Sequence, residues 1–82
     1  MKNRNKFKIK DVIYFGKYRL ILTEEKEKSA TMYYYYLQNI EYGIISAQLA
    51  MTKKSTKYKD FKEIVLGAID EDIEMYQELY ED

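Results

Sequence analysis

The chain reads as an α+β domain, a small antiparallel sheet of about four strands (two hairpins) packed against a C-terminal amphipathic helix. Three observations predict it. Residues 6–24 and 31–52 alternate apolar and polar side chains, the period of half-buried strands. From residue 58 the period changes, and Tyr58, Phe61, Val65, Ala68, Ile69, Tyr76, Leu79 and Tyr80 follow i, i+3, i+4 spacing. At about 100° per residue they gather on one side of a helix. Turn chemistry sits between the runs, at Gly16-Lys17 and at Asn39–Gly43.

Lys6–Phe15 is the first strand, with Phe7, Ile9, Ile13 and Phe15 on one face and Lys6, Lys8, Lys10 and Tyr14 on the other. Asp11 interrupts the apolar face, which marks either a bulge or a position near the sheet edge. Gly16 supplies positive φ for a two-residue turn, and Tyr18–Glu24 returns with Tyr18, Leu20 and Leu22 on one face. Glu25–Ser29 is polar and charged, a solvated loop tip. Thr31–Gln38, dense in tyrosine, is the third strand. Ile44–Thr52 alternates at Ile45, Ala47, Leu49 and Met51 and reads as a fourth strand, although Ala, Leu, Met and Gln also suit a helix. A short hairpin from strand three is the simplest connection. Lys53–Lys57 is a basic linker, with Ser55 or Thr56 as the helix N-cap.

The helical segment, residues 58–81, has one internal conflict. In a continuous helix Asp72 points into the apolar stripe, where an unpaired carboxylate is costly. A kink near Gly67–Asp70 removes the conflict: Gly67 ends a first helix in the left-handed conformation, and Asp70 caps a second. The straight and kinked readings both fit the pattern.

Length and composition bound the function. Eighty-two residues are near the lower limit for a self-sufficient core, and residues 6–52 and 58–81 supply one domain behind a flexible basic stretch at 1–5. The chain has no Cys and no His, so no disulfide staples it and the usual zinc sites are excluded. Ser29, Ser46 and Ser55 have no histidine to activate them, and the glycines at 16, 43 and 67 form no phosphate-cradling loop. Asp70-Glu71-Asp72-Ile73-Glu74 lacks the bend glycine of a calcium loop. The expectation is a non-enzyme with no metal, no cofactor and no small-molecule substrate. Neither a membrane-length apolar run nor a signal-peptide core is present, so a cytoplasmic address is expected.

Net charge is zero, yet the charges are segregated. Residues 1–10 carry five basic residues and no acid, 53–62 carry five Lys against Asp60, and 63–82 carry eight acids and no base. Glu71, Glu74, Glu78 and Glu81 are like-charge neighbours at i+3 or i+4, each pair costing about 0.2–0.5 kcal/mol. Interspersed lysine would have given solubility without that cost. Asp70, Glu71, Glu74, Glu78 and Glu81 are therefore the candidate partner-binding residues, with Tyr34 and Tyr36 of the Tyr33–Tyr36 run as aromatic contacts. The expected function is a protein-binding module whose acidic face occupies a basic nucleic-acid-binding surface on a larger protein. Phage- or mobile-element-borne inhibitors, such as anti-CRISPR or anti-restriction proteins, work in this DNA-mimic style, and the analogy is one of size and charge alone. Two alternatives are a nucleic-acid-binding domain using Lys2, Arg4, Lys6, Lys8 and Lys10 beside outward tyrosines, and a homo-oligomer, a homodimer at its simplest, in which basic and acidic ends meet. Eight clustered acids argue against direct nucleic-acid binding.

Overall fold

A computed structural model describes residues 6–27, 30–46, 49–50 and 56–81. Strands β1 (Lys6–Phe15), β2 (Tyr18–Glu27) and β3 (Ala30–Asn39), ten residues each, form an antiparallel sheet in chain order. A two-residue β4, Leu49–Ala50, pairs with Tyr35 and Tyr34 on the outer edge of β3. Helices α1 (Tyr58–Gly67) and α2 (Ile69–Tyr80) complete the α+β fold.

Gly16 takes φ 59° between paired Phe15 and Tyr18, the conformation the first turn requires. The second hairpin is tighter than expected. Glu25, Lys26 and Glu27 pair with Met32, Thr31 and Ala30, so the charged stretch read as a loop extends β2. Residues 28–29 lie outside the described ones.

Of the expected strand over 44–52, the described residues form an isolated bridge at Ile45 and the two-residue β4. Asn39 Oδ1 accepts from the amides of Glu41 (2.8 Å) and Tyr42 (3.1 Å), and Gly43 takes φ 78°. Past this turn, side chains take over groups a strand ladder would use. The Tyr76 hydroxyl donates to the Ile44 carbonyl, and the Leu37 amide donates to Ser46 Oγ at 3.0 Å. Ile45 keeps one isolated bridge, to Gln38. Residues 47–48 and 51–52 of the expected strand lie outside the described residues.

Asp11 does mark a bulge. Ile9 pairs with Thr23 but Asp11 pairs with Leu22, leaving Lys10 as the extra residue. The extra residue flips the side-chain phase, so Ile9 parts from Ile13 and Phe15 and faces away from the helices, 56% exposed. Asp11 turns to the helix side, where the Tyr58 hydroxyl donates to it and Lys62 Nζ lies 3.3 Å away.

The helix layer covers one face of the sheet. Phe61, Val65, Ile69 and Tyr76 bury against Tyr18, Leu20, Leu22, Tyr35 and Leu37. Phe61 packs its ring against Tyr33 (5.5 Å between centroids) and Tyr35 (6.0 Å). Leu79, assigned to the apolar stripe by spacing, is instead 67% exposed. The kinked reading holds with different chemistry. Gly67 stays helical, and the break falls at Ala68 (φ −106°, ψ 7°), whose amide bonds Val65 O at 3.1 Å. Ala68 rather than Asp70 is the N-cap of α2, and Lys57 rather than Thr56 that of α1, neither with a side-chain cap; Ser55 lies outside the described residues. Tertiary burial of both helices does the work local capping would have done.

Two substitutions report on this packing. Phe61, 1% exposed, should cost roughly 3–5 kcal/mol on truncation to Ala. Tyr76→Phe should cost about 1–3 kcal/mol, because the buried Asn39 amide, which donates to the Tyr76 hydroxyl at 3.1 Å, is left unpaired. Urea titration of each variant checks both values.

Candidate functional site

The site predicted from sequence divides between opposite sides of the molecule. Helix α2 buries Ile69 and Tyr76 and leaves Asp70, Glu71, Glu74 and Glu78 exposed. Glu71, Glu74 and Glu78 fall within roughly 60° of the helix circumference, directly opposite Tyr76. Their Cβ atoms follow one another at about 5–6 Å, the spacing of i, i+3 and i+4 neighbours. None of the ion pairs found among the described residues uses these four carboxylates. Lys62, on the neighbouring helix, is engaged by Asp11. The negative row is therefore presented to solvent with no ion pair to a cation among the described residues.

Glu81 does not belong to that row. It is turned inward at the C-terminal end of α2, where Tyr18 Oη (2.8 Å) and Asn39 Nδ2 (2.7 Å) both donate to its Oε2. Lys17 Nζ lies 4.0 Å from its other oxygen. Gln77 Nε2 in turn donates to Tyr18 Oη at 3.0 Å. Helical phase alone places Glu81 near the outer face; its place as the C-cap of α2 and three converging partners bring it in. Glu81 is a clasp between α2 and the first turns of the sheet, and it is removed from the partner-binding set.

Tyr34 and Tyr36 are on the sheet face away from the helices, because Tyr35 and Leu37 between them point into the core. Both are half-buried. They share that face with Ile9, Val12, Tyr14 and Ile21, and no side chain of α1 or α2 in the hydrophobic cluster reaches it. The acids and these tyrosines thus form two surfaces with the sheet between them. Sequence reasoning missed the second surface as a unit, since the bulge at Lys10 moves Ile9 onto it; the signal was Asp11 in an otherwise apolar phase.

Asp72 sits at the margin of the two layers. The Tyr35 hydroxyl donates to it at 3.1 Å, so the carboxylate that conflicted with the apolar stripe has a partner. Burial raises its pKa above the ordinary value, opposed by that hydrogen bond. Tyr35 is pushed up to about 12 by burial and by Asp72. The Tyr58 phenol is raised by burial and by its bond to Asp11. Asp72 also borders a cleft of about 80 Å³ with Leu37, Met75, Tyr76, Leu79 and Tyr80. That is well below the roughly 300–1,000 Å³ of small-molecule sites. Among the described residues, no group of three potential ligands is placed to hold a metal ion, and no helix is long and apolar enough to cross a membrane.

No family model, no curated protein and no solved structure matches this chain. The functional reading therefore rests on the two surfaces themselves.

The clasp has a pH signature. The bond from Asn39 holds the Glu81 pKa below its ordinary 4.5, and the Tyr58 bond holds Asp11 below 3.8. A depressed folded pKa supplies stability that is complete above the unfolded value and is lost as pH falls through the folded one. Asp72, with a raised pKa, works in the opposite direction. The melting temperature should drop between about pH 5 and pH 2, and Glu81→Gln should flatten that drop while lowering stability at neutral pH. Thermal melts across this range check it.

Proposed function

We propose that the protein is a non-enzymatic binding module whose acidic α2 face docks on a basic surface of a larger protein, in the manner of a nucleic-acid mimic. The observation that carries the reading is the row Glu71, Glu74 and Glu78, exposed and without an ion pair among the described residues. A row of like charges at i, i+3 and i+4 opposes helix formation, and α2 forms because its other side is buried. Such a row presents regularly spaced anions on a rigid support, which is what a phosphate-binding surface recognises. Asp70 extends the row toward the start of α2. Exposed Met75 (45%) and Leu79 (67%) flank it and offer apolar contact at its edge. They take the anchoring role that the sequence assigned to Tyr34 and Tyr36.

The expected partner is a nucleic-acid-binding protein, the expected setting is the cytoplasm, and a phage or mobile element is the setting in which such inhibitors are used. Direct binding of nucleic acid is disfavoured, because a polyanion meeting α2 finds carboxylates and no basic residue on it.

The triple variant Glu71→Gln, Glu74→Gln, Glu78→Gln tests the reading. Stability should hold or rise slightly, since three repulsive neighbours are removed and Gln remains helix-favourable. Capture of a nucleic-acid-binding protein from host lysate should fall sharply at low salt, and the difference from wild type should shrink as salt screens the field. The captured protein should lose its own nucleic acid to the wild-type chain and keep it against the variant. Unchanged capture together with tighter oligonucleotide binding by the variant would overturn the proposal in favour of a nucleic-acid-binding domain.

A further inference from the structure

The sheet face away from the helices is complementary to itself. On that face β2 carries Arg19, Ile21, Thr23 and Glu25, of which Thr23 is fully buried beneath its neighbours, with Leu22 pointing into the core at the midpoint. A basic and an acidic residue thus stand at equal distances, three residues either side of Leu22. The neighbouring strands repeat the symmetry. Val12 pairs beside Ile21 and Ile9 beside Thr23, while Tyr36 pairs beside Ile21 and Tyr34 beside Thr23. We propose that two copies of the chain stack these faces about a two-fold axis that runs across the strands at Leu22.

Rotation about that axis carries residue 22+k of β2 onto 22−k of its partner and keeps β1 over β1 and β3 over β3. Arg19 then meets Glu25 of the partner subunit, Val12 meets the partner's Ile9, and Tyr36 meets the partner's Tyr34. Opposite charges, aliphatic side chains and aromatic rings each find their like or their complement. The other stacking, about an axis along the strands, would set Arg19 on the partner's Arg19 and is disfavoured by like-charge contact.

Two other ways for two copies to meet are disfavoured. The free edge of β1 carries the bulge at Lys10 and the lysines of an edge guarded against strand addition. Apposed helix layers would bring the two acidic α2 rows together. Among the described side chains of β2 this face carries one charge of each sign, Arg19 and Glu25, and β1 exposes Ile9 (56%), Val12 (40%) and Tyr14 (62%) on it. Three strands of ten residues, at ~3.3 Å per residue and ~4.8 Å apart, make a face of roughly 33 by 14 Å, about 450 Å² in flat projection. A standard stable interface takes about 800 Å² per partner, so this is a weak, reversible dimer. It would carry its two acidic rows on its outer sides, and it stands whether or not those rows bind a basic protein.

Sedimentation equilibrium from about 1 µM to about 1 mM reads the association directly. Wild type should pass from monomer to dimer within this range, with no larger species. Arg19→Glu puts like charges at both symmetric contacts and should raise the dissociation constant at least about tenfold. Adding Glu25→Arg to Arg19→Glu should restore dimerisation, because the exchanged pair is again complementary across the axis. Glu63→Lys, exposed on the outer side of α1, should leave it unchanged. Circular dichroism confirms that each variant is folded, and the double exchange controls for the loss of the Arg19–Gln38 hydrogen bond (2.7 Å), which it does not rebuild. A monomer throughout the range, a double exchange that recovers nothing, or weakening by Glu63→Lys would each overturn the proposal.

Discussion

Burial of Phe61, Val65, Ile69 and Tyr76 on one face of the sheet is the contact on which everything else depends. The chain has no disulfide, and neither helix carries a side-chain cap. A three-stranded sheet with nothing on either face has no enclosed interior, and helices of ten and twelve residues are marginal in water. Each layer therefore owes its order to the other. Leu20, Leu22 and Leu37 reach full burial only because the helix layer closes over them.

The polar groups in that layer boundary are arranged around tyrosine hydroxyls. Tyr76 donates to Ile44 and accepts from Asn39, Tyr18 donates to Glu81, Tyr35 to Asp72 and Tyr58 to Asp11. A phenol has an apolar body long enough to cross the core and a polar tip that satisfies a carboxylate or a backbone group at its rim. Three of these four tyrosines thus let three carboxylates sit against an apolar layer, and the fourth, Tyr76, serves backbone groups. No described buried side-chain nitrogen or oxygen is left without a partner. The abundance of tyrosine, ten in this chain, has a structural cause before any question of recognition arises.

Strands β1 to β3 and the place where the helix could break were legible because they rest on local signals. Period-two alternation, Gly16 at a turn and an acid out of phase at Asp72 are each written within a few residues. What escaped depends on distant partners. After Gly43 the described chain leaves regular pairing at Ile44, whose carbonyl is held by the hydroxyl of Tyr76, some thirty residues on. Glu81 reads as one more surface acid until Tyr18 and Asn39 are seen to converge on it. Asp11 was recognisable as an irregularity, but the consequence, an apolar residue moved to the opposite face, requires the register with β2. Of the seven predicted partner-binding residues, the exposed acids Asp70, Glu71, Glu74 and Glu78 form one surface; Tyr34 and Tyr36 lie across the sheet, and Glu81 is structural. The charge pattern is a property of sequence, whereas the division between faces is a property of the fold.

Native-state hydrogen exchange tests most directly whether the two layers are one cooperative unit. The account predicts that the slowest amides of β2 and β3, at Leu20, Leu22 and Leu37, exchange with the same opening free energy as those around Val65 and Tyr76. That common value should equal the free energy of global unfolding. A helix layer that opens and exchanges well below the global value while the strand amides stay protected would show that the sheet holds its structure alone, and would contradict the account.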